Sequence, residues 1–150
     1  MAPFDSYQEL LVYACTLFQP KNVLEYGTGG STRVFLKYSE AHIHSIENNS
    51  NWYNKYDNEI PKEGRLEMHL IQDHEDYITC DFGLKYDLIF VDGLCGWRVD
   101  CLKKAIEKLS PEGYVILHDS ERSIYKEGTD LYKEILSITG TTLYEPLTRV

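Results

Sequence analysis

No apolar run in the sequence approaches the roughly 18 residues that a membrane-spanning helix requires. The first residues carry neither the basic flank nor the apolar stretch of a secretion signal. A soluble protein of the cytoplasm is the expectation, with no membrane partner. Positive charge is scarce as well: 15 Lys and Arg stand against 24 Asp and Glu, a formal net charge of -9. Nucleic-acid affinity comes largely from clustered Lys and Arg that displace counterions, so this balance argues against a nucleic-acid partner. Lys103, Lys104 and Lys108 fall on one predicted helix and read as a solvated face. The four cysteines, Cys15, Cys80, Cys95 and Cys101, include no CxxC pair, which removes a zinc knot and a dithiol redox motif. Reduced thiols are the simple reading. Linkers, repeats and low-complexity tracts are also missing, and 150 residues suit one domain spanning 1–150.

What is present is an alternation of helical and strand patterns. Ser6 and Glu9 have capping-box spacing, and Tyr7, Leu10, Leu11, Ala14, Leu17 and Phe18 form a helical stripe that Pro20 ends. Val23-Leu24 reads as a strand entering a glycine-rich turn, and a helix follows over 31–38. Strands over 43–46 and 66–71 flank a helix over 52–60, closed by Pro61. The run over 86–91 is almost wholly apolar, as expected of a parallel strand covered on both faces. A helix over 99–109, a turn over 110–113 and a strand over 114–117 come next, then a predicted helix over 129–138 and a short strand over 142–145. The order predicts an α/β fold with a doubly wound, mainly parallel sheet.

In such sheets ligands bind beyond the carboxyl ends of the strands. Those ends read Glu25-Tyr26-Gly27-Thr28-Gly29-Gly30-Ser31, Glu47-Asn48, Asp73-His74, Asp92-Gly93 and His118-Asp119. Gly27 and Gly29 let backbone N–H groups approach a ligand with no Cβ in the way. Glu47 falls 20 residues after Gly27, the spacing at which a carboxylate accepts ribose hydroxyls. Glu25 would repel a pyrophosphate at the following helix N-terminus, which disfavours an NAD-type oxidoreductase. S-Adenosylmethionine carries an ammonium and a sulfonium instead, and its charges match.

Val23 to Thr32 resembles motif I of the class I S-adenosylmethionine-dependent methyltransferases, and Ser45-Ile46-Glu47-Asn48 through Trp52-Tyr53 resembles that superfamily's ribose-binding segment. The stretches 86–93 and 109–119 resemble its fourth and fifth strands, so the likeness extends over roughly residues 5 to 140. It implies a Rossmann-like core with S-adenosyl-L-methionine as cofactor and S-adenosyl-L-homocysteine as product. Within the turn, Glu25, Tyr26, Gly27, Thr28, Gly29 and Ser31 would form the cofactor cradle, with Glu25 at the methionine amino end and the two glycines against the methionine and ribose. Glu47 would hold the ribose, Asn48 would pack on the adenine edge, and Asp73 and His74 would contact the adenine. Asp73 equally suits a helix cap, and Trp52 suits either the adenine or the core.

For methyl transfer to a small-molecule acceptor, oxygen first among the acceptor atoms, the resemblance puts Asp92, His118 and Asp119 beside the sulfonium, with Asp92 also counted in the cofactor site. His118 is the preferred base, since imidazole takes a proton near neutral pH. Strand-end roles alone would explain His118 and Asp119 equally well. Catechol-type members hold magnesium with carboxylates at these two strand ends; no metal ligand is assigned here, because no further carboxylate adjoins Asp92 and Asp119. Arg98 and Arg122 suit an acidic substrate or pairing with nearby carboxylates. The tetrad of nucleic-acid amino-methylating members is absent. The last strand of the usual C-terminal hairpin is also expected to be missing, leaving an edge that a homodimer would close. A noncatalytic cofactor-binding subunit is the alternative reading.

Overall fold

The computed structural model describes residues 6–149. Helix α1 (Ser6–Phe18) leads into strand β1 (Asn22–Tyr26), and α2 (Gly30–Tyr38), β2 (His42–Glu47), α3 (Ser50–Glu59), β3 (Leu66–Leu70), α4 (His74–Thr79) and β4 (Tyr86–Val91) follow in strict alternation. A 3-10 turn at Cys95–Trp97 opens α5 (Arg98–Lys108), which runs into β5 (Leu109–His118). The short α6 (Lys126–Thr129) precedes β6 (Tyr132–Ile138) and β7 (Thr141–Pro146). The side chain of Ser6, and so the Ser6–Glu9 capping box, lies outside the described residues.

The seven strands form one sheet in the order β3-β2-β1-β4-β5-β7-β6. The first five pair in parallel; β7 runs antiparallel to both β5 and β6. Each face buries an apolar layer. One holds Leu24, Ile46, Ile89, Val91 and Leu117 under α4 and α5; the other holds Val23, Ile43, Leu88, Phe90 and Ile116 under α1 and α2. Successive strand residues point to opposite faces, which is why β4 must be apolar throughout. Strand order reverses between β1 and β4, so a crevice opens there at the carboxyl ends.

Three sequence expectations give way at the C-terminal part. The segment 129–138 is mostly strand: β6 pairs with β7 along its length, and Ile135 is an extra residue where the register shifts between Glu134 and Leu136. That bulge gives Tyr132, Ile135 and Leu136 a helix-like spacing, although only Tyr132 is fully buried and Ile135 is 45% exposed. Thr139 and Gly140, at φ 43° and 77°, form the two-residue reversal between the strands, in the left-handed conformation that such hairpins need. The hairpin is therefore complete and β7 covers β5, so the gap assigned to a homodimer partner is filled by the chain itself.

Two side chains also depart from expectation. Leu17 is 57% exposed, and Cys15 takes its place on the buried stripe of α1. Lys108 is buried rather than solvated: its ammonium donates to the Tyr26 hydroxyl (2.8 Å) and to the Ile78 and Cys80 carbonyls (3.0 and 2.8 Å). Three good acceptors offset the cost of taking the cation out of water.

Candidate functional site

The turn after β1 is pressed against the end of β4. Gly27 has φ 100°, and a Cβ there would lie 2.5 Å from the Asp92 carbonyl oxygen. Only glycine fits, on both counts. The Gly27 N–H donates to Ile46 (2.8 Å) and the Asp92 N–H to Tyr26 (2.9 Å), so three strand ends meet in one backbone network. Next to it, Glu47 Oε1 accepts the Thr28 N–H (3.1 Å), and Oε2 accepts those of Asn48 (3.0 Å) and Asn49 (2.9 Å). Three of the carboxylate's roughly four acceptor positions are filled, which leaves one on Oε1 for a ligand hydroxyl.

Glu25 faces inward. It is fully buried and does not line the crevice; its oxygens accept the hydroxyls of Ser31, Thr32 and Ser45, the last at 2.6 Å. Burial pushes its carboxyl up to about 7 against the pull of these hydrogen bonds. Glu25 and Ser31 thus brace the turn from beneath. The Tyr26 side chain is likewise internal, donating to the Ile78 carbonyl (3.1 Å).

The crevice has a volume of about 910 Å³ and is lined by Tyr7, Thr28, Gly29, Glu47, Trp52 and Asp92 among others, Asn48 included. That lies within the ~300–1,000 Å³ of small-molecule sites. A Cβ on Gly29 would meet nothing within 4 Å, so its backbone is open to a ligand. Gly29 also caps α2 without a side-chain hydrogen bond, leaving the helix N-terminus suited to an anionic group such as a carboxylate. Trp52 is the residue that sequence reasoning left undecided. It is 44% exposed, lines the crevice and donates its indole N–H to the Thr28 carbonyl (2.6 Å). The available signal was the composition of α3, SNWYNKYDNE, which is mostly polar and has no aliphatic residue to share a core stripe with the ring.

At the ends of β4 and β5, Arg98 organises the acidic groups. Its buried guanidinium donates to the Gly93 carbonyl (2.9 Å), the His118 carbonyl (2.9 Å) and Asp92 Oδ1 (3.2 Å), and lies 3.8 Å from Asp119. Burial pushes the Asp92 carboxyl above the usual range, while His118 and Arg98 pull it down. His118 Nδ1 meets the Thr141 hydroxyl (3.1 Å), and its Nε2 is 3.7 Å from Asp119. The His118 ring packs on Tyr7 at 4.8 Å, beside the crevice rather than in its lining. Asp119 has φ 54° and a half-exposed side chain. This donor set does not fit magnesium: a fixed guanidinium already stands between the two carboxylates, and a dication would be repelled by it.

Asp73 and His74 stay outside the crevice. Asp73 caps α4 by accepting the Asp76 N–H (3.0 Å), and His74 pairs with Asp100 (3.0 Å) and packs on Trp97. The structure thus brings Gly27, Thr28, Gly29, Glu47, Asn48 and Asp92 together, sets His118 and Asp119 at the margin, and separates Asp73, His74 and the side chain of Tyr26.

The sequence matches no family model and no curated protein. Solved structures resemble it closely in shape. A methyltransferase-like protein from Silicibacter pomeroyi DSS-3 has a TM-score of 0.73 at 19% identity, over 99% of this chain and 90% of that one. The O-methyltransferase TomG from Streptomyces achromogenes, solved with S-adenosylmethionine, has a TM-score of 0.75 at 16% identity, over 93% of this chain and 78% of that one. The N-methyltransferase NodS from Bradyrhizobium japonicum, solved with S-adenosyl-L-homocysteine, has a TM-score of 0.71 at 12% identity, over 95% of this chain and 86% of that one. At these identities the likeness concerns architecture: the chain has the Rossmann-like fold of the class I S-adenosylmethionine-dependent methyltransferases.

Proposed function

We propose that the chain is an S-adenosylmethionine-dependent methyltransferase for a small-molecule acceptor, with oxygen as the favoured acceptor atom. The observation that carries the reading is Glu47, whose carboxylate three backbone N–H groups hold at the crevice, opposite the open backbone of Gly29. A fixed anionic acceptor beside the open backbone of the turn suits the ribose of a nucleoside. Glu47 takes a ribose hydroxyl on Oε1, Trp52 and Asn48 flank the base, and the N-terminus of α2 takes the methionine carboxylate. S-Adenosylmethionine, when bound, supplies an electrophilic methyl group on sulfur.

The other residues position the acceptor. His118 accepts the proton of the acceptor hydroxyl at Nε2, and Asp119 at 3.7 Å stabilises the resulting imidazolium. Arg98 fixes both strand ends and neutralises Asp92, so no metal is needed to hold this arrangement. The crevice favours a small acceptor, the acidic chain disfavours nucleic acid, and four free thiols suit the cytoplasm. A subunit that binds cofactor without transfer was favoured by an expected missing strand and by an expected lack of a substrate lid, and the complete β6–β7 hairpin beside β5 removes the first of these grounds.

Calorimetry with S-adenosylmethionine, S-adenosyl-L-homocysteine and NAD tests the cofactor, followed by a panel of phenols, carboxylates and amines with S-adenosyl-L-homocysteine release as readout. Binding of the first two, and release with a hydroxyl acceptor, is expected. Binding of NAD alone would overturn the reading.

A further inference from the structure

At the opposite end of β2 from Glu47, the pattern His42-Ile43-His44 runs beside Glu67-Met68-His69 of β3 in parallel register, with His44 opposite Glu67. Period-two alternation puts all four polar side chains on one face of the edge of the sheet. His42 Nε2 lies 2.5 Å and His44 Nε2 3.5 Å from Glu67 Oε2, and one ligand atom from each residue falls within 4.8 Å of the other two. We propose that His42, His44 and Glu67 form a binding site for a divalent transition-metal ion of the zinc class.

The donor chemistry is right for such an ion: imidazole nitrogens and one carboxylate suit zinc and its neighbours, and not magnesium or calcium. Zinc arms of ~2.0–2.1 Å set tetrahedral ligand atoms about 3.3 Å apart. The His44–Glu67 separation is already there, and the His42–Glu67 pair opens by less than an ångström. His69 supplies the orienting contact that metal-bound histidines need. His69 Nε2 lies 2.9 Å from His44 Nδ1, so a proton on Nδ1 leaves Nε2 free to ligate.

Packing holds the rings in place. Phe82 stacks on His44 at 4.4 Å with the planes 1° apart, and on His69 at 4.2 Å. Tyr86, edge-on to His44 at 6.2 Å, is 2% exposed and its hydroxyl has no partner among the described residues. His44 is buried while His42 and Glu67 are partly exposed, which gives an ion a buried anchor and an entry path. Five residues of strand, about 16 Å, separate His42 from Glu47, so the ion is structural: it clips edge strand β3 to β2.

The test is zinc titration of the chelator-treated full chain, followed by calorimetry and thermal melting. One ion per chain is expected, with a rise in melting temperature of about 5–10 °C at a hundredfold excess over Kd and no rise with magnesium. His42→Ala and Glu67→Gln, both at partly exposed positions, should abolish the rise while the folded baseline persists. Cobalt in place of zinc should give the visible bands of a tetrahedral nitrogen and oxygen site. No uptake, or uptake that both variants retain, would overturn the proposal, the second outcome pointing to the thiols.

Discussion

The indole N–H of Trp52 donates to the Thr28 carbonyl across 2.6 Å, tying the helix after β2 to the turn after β1. The bond aligns one wall of the crevice with its floor. Trp52→Phe keeps the ring and removes the donor, leaving the carbonyl to water at a cost of about 0.5–1.5 kcal/mol. Cofactor affinity should fall roughly three- to tenfold. Because Trp97 is the only other tryptophan, quenching of fluorescence by S-adenosyl-L-homocysteine should largely vanish in the variant. Unchanged quenching would remove Trp52 from the site.

Glu47→Ala leaves three backbone N–H groups without their acceptor and takes away the proposed ribose partner. Calorimetry should show S-adenosyl-L-homocysteine binding weakened by about 1.5–3 kcal/mol, the range for hydrogen bonds to a charged group. Glu47→Gln, which keeps one acceptor oxygen, should lose less.

Burial raises the Glu25 carboxyl to about 7, against 4.5 when exposed. The folded chain therefore holds a proton that the unfolded chain has released between these values. The contribution of Glu25 is most favourable below about pH 4.5 and is lost as pH rises through 7, a slope worth of order 3 kcal/mol. Urea unfolding of Glu25→Gln across pH 5 to 8 should show a shallower decline than the parent. An equal decline in both would assign the pH dependence elsewhere.

Arg98→Met strands Asp92 without its cation and frees the Gly93 and His118 carbonyls. Arg98 is buried and Asp92 partly exposed, so breaking the pair costs at most the ~3–5 kcal/mol of a fully buried one, a fall in melting temperature of several degrees and at most about 20 °C for a chain of this size. Scanning calorimetry reads it directly. A shift under 2 °C would show that the β4 and β5 ends hold their places without the guanidinium.

Thr139 is a β-branched residue at φ 43°, in a two-residue hairpin turn that favours asparagine. Thr139→Asn should therefore stabilise the chain by about 0.5–1 kcal/mol, seen as a higher urea midpoint with the slope unchanged. Destabilisation would mean that the Thr139 side chain contributes packing that outweighs its backbone strain.

The parallel core was legible because helices on both faces force nearly unbroken apolar runs such as that of β4, and because Gly27 and Glu47 stand at fixed offsets from the strand ends. The C-terminal hairpin was not: a bulge at Ile135 disguises a period of two as one of nearly four, and pairing with β7 outweighs local propensity. Site residues divided by a different rule. Gly27, Thr28 and Gly29 act through the backbone of the turn, and the Glu47 carboxylate is held by backbone N–H groups of Thr28, Asn48 and Asn49, so their place in the chain fixes their position. Glu25, Asp73, His74 and Trp52 depend on which way a side chain turns, and that is decided by the Ser31, Thr32 and Ser45 hydroxyls, the cap of α4, Asp100 and the Thr28 carbonyl in turn.

The close fit of Gly27 against Asp92 makes the turn after β1 and the end of β4 one mechanical part. With no space for a methyl group between them, and with the Asp92 N–H donating to Tyr26 and the Gly27 N–H to Ile46, the ends of β1, β2 and β4 are tied to one another. A substitution that adds a Cβ at Gly27 would therefore have to move the end of β4 as well as the turn after β1.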